Sequence, residues 1–359
     1  MDILGAVAAT DVTMLAGEYA TLTERCGLVD RSERGKLALI GAGAVDFLNG
    51  QVTNELIGLE PGQGCYAAFL THKGKMLGDL RILAVGAQDV EAARENKAAT
   101  RENKPSATVE LLLDTERVAL QALFDMIRRF KVGYEVELHK RTLESALLSL
   151  IGPLSDDVLA RAFALDATGL PESENGHVLA HLEPTDAAPD RTPVRLIRTS
   201  GGIDALCESA AIEAVRGTLE GAGAIAVSEA AAEIVRVEQG RPRYGIDLDE
   251  STIPQEAGLN ERAVSFTKGC YVGQETVARL FYKGKPNRHL RGLRFSEPAQ
   301  PGAELRLGER SVGHLGSSVL SPALGPIGLA LVRREAEPGT TVAVGEHGAS
   351  ALVCELPFR

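Results

Sequence analysis

Apolar and polar residues alternate on both sides of the turn "THKGK", so residues Cys65 to Val85 read as a β-hairpin. "KLALIG", from Lys36 to Gly41, reads as a further strand. From about Glu116 to Arg129 the period becomes helical. Leu120, Leu123, Phe124 and Ile127 form one stripe, Asp114 or Thr115 stands in the capping position, and Gly133 lies just beyond the end. "VELLL" before this helix and "YEVEL" after it read as strands. Strand, helix and strand beside a hairpin predict a plait-like sheet layer covered by helices.

The second half repeats this texture and then abandons it. Helices are expected near Glu208 to Leu219 and from Ser228 to Gly240. After Pro286, short alternating segments such as "HLRGLRF", "SVGHLGSSVL" and "TTVAV" are punctuated by Gly and Pro, which predicts a small antiparallel barrel. Two stretches fit neither pattern. "RENKAATRENKPSAT", residues 94–108, is a near-perfect tandem duplication too polar to bury anything, and reads as a mobile surface loop. "DATGLPESENG" and "PTDAAPDRTP" mark a loose middle. The expected organisation is an α+β domain over 1–150, a second over 151–285 and the barrel over 286–359.

Composition narrows the function classes. The chain has 359 residues, 44% of them hydrophobic, enough for a sizeable core. A net charge of −11, no tryptophan and 4% aromatics argue against a basic, base-stacking nucleic-acid groove. The amino terminus lacks the basic region of a secretory signal and the arginine-rich character of a transit peptide. No apolar run reaches the ~18 residues of a membrane span. Five cysteines without a C-x-x-C pair fit cytoplasmic usage. The histidines lack metal-ligand spacing, so no metal site is expected, and His72 and His314 read as structural. "GAGAV" lacks the third glycine of a dinucleotide loop.

Two features carry chemistry. In the helix from Ser228, a turn of ~100° per residue puts Ala231, Ile234, Val235 and Glu238 on one face, with Glu233, Arg236 and Gln239 pointing elsewhere. Glu238 then faces inward and needs hydrogen-bond donors. Arg241 or Arg243 is one candidate; a ligand with adjacent N–H groups, such as a pterin edge, is the other. In "FTKGCYVGQETVARL", Gly269 and Gly273 bracket a thiol and an aromatic ring, and too few apolar positions remain for a buried element. Lys268, two residues from Cys270, favours a thiolate and so a nucleophile or metal ligand; a free surface thiol without a role is the alternative.

"RVEQGRPRYGIDLDESTIPQEAGL" followed by "FTKGCYVGQE" resembles the signature of the YgfZ-type folate-binding proteins, relatives of the glycine cleavage T-protein and of mitochondrial iron–sulfur assembly factors. "GLVDRSERGKLALIGAGAVDFLNGQVTNEL", "GKMLGDLRIL" and the terminal barrel resemble the same superfamily. The resemblance implies two interlocked α+β domains and a barrel around a channel holding tetrahydrofolate or a one-carbon derivative. It makes Glu238 the pterin-binding carboxylate, with Tyr244 following in R-Y-G, and matches Lys268, Gly269, Cys270, Tyr271, Gly273, Gln274 and Glu275 to the motif, with Arg279 after it. Asp79 lines the folate channel by this resemblance; its other reading is a solvated strand residue paired with Arg81.

T-proteins carry adjacent aspartates where this chain has Gly78 and Asp79, and they lack the K-G-C-Y-x-G-Q-E element. The expected function is therefore an accessory role in iron–sulfur assembly or repair, reaching tRNA modification through iron–sulfur enzymes, with iron–sulfur clients or assembly proteins as partners. Cys270 and Lys268 form the reactive pair. The alternatives are an aminomethyltransferase and a folate-binding module without chemistry.

Overall fold

A computed structural model describes residues 3–86, 110–164, 169–183, 191–346 and 348–358, with side chains from residue 13 on. The tandem segment 94–108 lies outside the described residues. No described helix is long and apolar enough to cross a membrane.

The chain divides into two compact units. One comprises Ala20–Phe69 and Asp79–Val227 and holds two sheets. The first sheet contains β2 (Gly35–Ile40), β3 (Gly64–Leu70), β4 (Met76–Val85), β5 (Glu110–Thr115) and β6 (Glu137–Lys140), in the order β3-β4-β5-β2-β6. β3 and β4 are the expected hairpin. The helix after β5 begins as a 3-10 turn at Arg117–Ala119 and continues as α3 (Leu120–Phe130), with Leu123, Met126 and Ile127 buried. Neither expected cap operates. Thr115 Oγ donates to the Asp79 carbonyl, and Asp114 binds the guanidinium groups of Arg34 and Arg81.

The second sheet runs β11-β1-β7-β10-β9-β8 and was largely invisible to periodicity. Its strands are β1 (Gly27–Asp30), β7 (Ser145–Ile151), β8 (His177–Leu182), β9 (Thr192–Thr199), β10 (Gly202–Glu208) and β11 (Ile225–Ala226). β7 is buried from Ala146 to Leu150, a mostly apolar run with Ser149 within it, so it shows no alternation of buried and exposed residues. Helices α4 (Ser155–Phe163) and α5 (Ile212–Gly221) send Val158, Leu159, Phe163, Val215 and Leu219 into the core with Leu148, Leu196 and Ile203.

The other unit comprises Met1–Tyr19, Leu70–Gly78 and Ser228–Arg359. Its barrel is closed in the order β12-β15-β14-β13-β16-β17: β12 (Arg288–Phe295), β13 (Glu304–Leu307), β14 (Arg310–Ser321), β15 (Gly325–Arg333), β16 (Thr341–Val344) and β17 (Ala349–Cys354). These are the expected segments. Leu293, Leu305, Val312, Val332, Val342 and Val353 fill the interior, and alternate residues face out. Outside the barrel, α6 (Glu229–Glu238) presses Val237 against Leu290, Ile327 and Leu329. Its start is the expected one, since Ser228 Oγ accepts from the Ala231 N–H at 3.3 Å.

Candidate functional site

The stretch 268–283 is a loop that turns into a helix. Lys268 and Tyr271 are buried, and the Lys268 ammonium lies 5.3 Å from the centroid of the Tyr271 ring. Burial pushes the Tyr271 phenol up to about 12. The Gln274 backbone N–H donates to the Tyr271 carbonyl, and its side-chain amide reaches back to the Gly269 carbonyl at a long 3.4 Å. With its neighbours anchored in this way, Cys270 is left exposed. α8 (Gln274–Lys283) then starts at Gly273, with exposed Glu275 in its first turn, where the helix dipole favours an anion. The sequence had not suggested this helix. It lacks a Ser, Thr or Asp cap and buries Val277 alone along its length.

The two bracketing glycines have different jobs. Gly273 has φ +85°, and a Cβ there would stand 2.6 Å from the Thr71 carbonyl oxygen in the hairpin tip. At Gly269 a Cβ would meet nothing within 4 Å. Gly273→Ala is accordingly expected to destabilise by about 2–4 kcal/mol. Gly269→Ala should stay within about 0.5 kcal/mol of the parent. Thermal unfolding of the two variants checks this, and equal melting temperatures would refute the assignment.

Glu238, the last residue of α6, is half-buried. Tyr19 donates its hydroxyl to one carboxylate oxygen at 3.1 Å, and Ser321 Oγ donates to the other. Ser321 Oγ also accepts from the N–H groups of Ala323 and Leu324, which fixes its own proton toward Glu238. Burial, then the charge of Glu238, raises the Tyr19 phenol above its ordinary value. The suggested internal arginine is therefore not what holds this carboxylate. Arg243 pairs with Glu229 and Glu233, and among the described residues Glu238 forms no ion pair.

Glu233 and Arg236 do lie on a different side of α6 from Glu238, and that side is covered as well. Arg236 binds Glu233, Asp247 at 2.9 Å and Ser317, and Asp247 accepts from the Ser317 N–H at 2.8 Å. Burial raises the Glu233 carboxyl, but its bonds to Arg236 and the charges of Arg236 and Arg243 outweigh this and hold it below its ordinary value. Tyr244 is half-buried just beyond Arg243, with its hydroxyl 3.5 Å from the Met76 carbonyl. Arg279 is exposed on α8.

The GCVT N-terminal domain matches residues 9–268, and the glycine cleavage T-protein C-terminal barrel domain matches residues 288–359. The chain belongs to the glycine cleavage T-protein family. Among its relatives, a chloroplastic protein of Arabidopsis thaliana named "putative transferase" is 29% identical over 92% of this chain and 71% of its own length. The aminomethyltransferase of Rubrobacter xylanophilus is 27% identical over 96% of this chain and 86% of its own. The crystal structure of glycine cleavage system aminomethyltransferase T from Bartonella henselae shares the fold, with a TM-score of 0.76 at 24% identity over 96% of this chain and 89% of that one. The two domain matches leave residues 269–287 uncovered, the stretch that contains Cys270.

Asp79 belongs to the other unit of this T-protein family chain. It is 5% exposed, so it is not a solvated strand residue. Arg81 gives its guanidinium to Asp114 and Asp204, each at 2.7 Å. Of the thiols, Cys26 and Cys207 are buried and Cys65 and Cys354 half-buried. Burial, then the charges of Asp30 and Glu208, pushes the Cys207 thiol up to about 12. Tyr19 and Ser321 escaped sequence reasoning. They stand 219 and 83 residues from Glu238, and nothing in either local pattern marks a hydroxyl as its donor.

Proposed function

We propose that the chain binds tetrahydrofolate, or a one-carbon derivative, through Glu238 and serves iron–sulfur cluster assembly or repair in the cytoplasm as a YgfZ-type member of its family. Glu238 carries this reading. It is a half-buried carboxylate oriented by two hydroxyls and, among the described residues, left without a cation. Two donated bonds leave it further lone pairs, and the amino group and ring N–H of a pterin supply matching donors. Tyr244 and Arg279 are further folate contacts by resemblance, and Asp79 is a folate-facing carboxylate on the same ground.

Cys270 is the functional thiol, with Lys268 and the backbone of the K-G-C-Y-V-G-Q-E loop shaping its setting. One thiol cannot complete a cluster that takes four ligands, so a client or assembly protein, or a small thiol, supplies the others. Effects on tRNA modification then arise through iron–sulfur enzymes.

Titration calorimetry with tetrahydrofolate tests the ligand. Glu238→Gln should weaken binding by about 1–3 kcal/mol, because the amide keeps the shape and loses the charge-assisted contact. Equal affinity removes Glu238 from the site. The relatives' names favour a second reading, an aminomethyltransferase. Gly78 stands where the paired aspartate belongs, so no methylene-tetrahydrofolate above background is expected from aminomethyl-loaded H-protein. Turnover of about 1 per second would restore the transferase.

A further inference from the structure

Beyond α8 the chain crosses Lys285 and Pro286 into the barrel, and a cleft of about 560 Å³ opens there. Lys285, His289, Arg291, Arg333 and Arg334 line it, together with Glu335, Glu337 and Glu355. The carboxylates do not cancel the cations. Glu355 pairs with Arg291 at 3.2 Å, while Glu335 pairs at 3.1 Å with Arg310, which does not line the cleft. Among the described residues, Lys285, Arg333 and Arg334 form no ion pair, although the Glu335 carboxylate also feels the charges of Arg333 and Arg334, and Glu337 lines the cleft beside them. In a chain of net charge −11, the cleft's lining still carries four cations, Lys285, Arg291, Arg333 and Arg334, against three carboxylates.

His289 lies among these groups. Burial first, then the Arg291 guanidinium, hold its imidazole below the ordinary value, although Glu256 and Glu355 pull the other way. The cations also stand on two paired strands. β12 carries Arg291, and β15 ends in Arg333, with Arg334 next. The volume falls in the range of roughly 300–1,000 Å³ typical of small-molecule sites. Guanidinium forks match phosphate oxygens in pairs, and cations on two strands suit two linked groups better than one.

We propose that this cleft binds a small molecule bearing a diphosphate, at a site independent of Glu238. Calorimetry on the full chain at low ionic strength, with inorganic pyrophosphate as the probe, is the test. Saturable one-site binding is expected, tighter than for orthophosphate and weakened by added salt. The double variant Arg333→Ala, Arg334→Ala should bind at least ~10-fold more weakly. Both arginines are exposed, so its melting temperature should match the parent's. Arg129→Ala with Lys131→Ala removes two cations in the other unit and should leave the affinity unchanged. Absence of saturable binding, undiminished binding in the Arg333/Arg334 variant, or an equal loss in the Arg129/Lys131 control would each overturn the proposal.

Discussion

On the proposed iron–sulfur role, cells that lack this protein and receive the Cys270→Ser variant are expected to recover none of the iron–sulfur enzyme activity that the deletion removes, while the purified variant should fold and bind tetrahydrofolate as the parent does. The reason is local. The loop is held by buried Tyr271 and Lys268 and by Gly273 against the hairpin tip, while the Cys270 side chain is exposed and contributes no packing. Serine therefore preserves the structure and removes only the sulfur chemistry. Iodoacetamide at neutral pH should label Cys270 before the other four thiols. Cys26 and Cys207 are enclosed, and at about 12 Cys207 is almost wholly protonated. Lys268→Met should slow the reaction at Cys270. Full rescue by Cys270→Ser would falsify the functional-thiol reading and leave the loop as a folding element.

How far the sequence carried depended on whether an element has one buried face or several. Barrel strands such as Thr341–Val344 alternate exposed and buried residues, so period and turn residues located them. The central strand β7 is buried on both faces, Ser149 included, so it has no alternation to read. The same cause hides what surrounds Glu233 and Arg236. The helical period put Glu238 and Ala231 together correctly, but α6 is covered on more than one side, and its second covered side is ionic. α8 fails in the opposite direction, with too little burial to print a stripe.

The candidate site was legible as identities and illegible as partnerships. The inward tilt of Glu238 followed from its spacing along one helix. Its donors come from α1 (Ile3–Glu24) and from the end of β14, which only the folded unit brings together. The glycine pair of the motif was noticed as a unit, yet only Gly273 has a positive φ and a backbone atom where its Cβ would lie. Asp79 looked like a partner for Arg81 because the two share a strand and a spacing of two. Strand pairing instead sets Arg81 opposite Asp114 and within reach of Asp204.

That arrangement makes Arg81 the residue whose loss should cost most in stability. Its guanidinium is buried and bridges Asp114 on β5 to Asp204 on β10, while Arg34 takes the other side of Asp114 and Ser149 Oγ donates to Asp204 at 2.6 Å. Arg81→Met leaves buried Asp204 without its cation and half-buried Asp114 with Arg34 alone, and the expected destabilisation at neutral pH is about 3–5 kcal/mol. Adding Asp204→Asn should return part of this, because an amide is less costly to bury uncharged. The effect has a pH signature. Burial raises the Asp114 carboxyl, but Arg34 and Arg81 outweigh it and hold the group below its ordinary 3.8. A carboxyl depressed in the folded state stabilises above its unfolded value and loses that contribution as pH falls through the folded one. The gap between parent and Arg81→Met should therefore be full at neutral pH and narrow below about pH 4. Urea unfolding at both pH values measures it. A neutral-pH difference below about 0.5 kcal/mol would mean that these buried charges only balance their own desolvation.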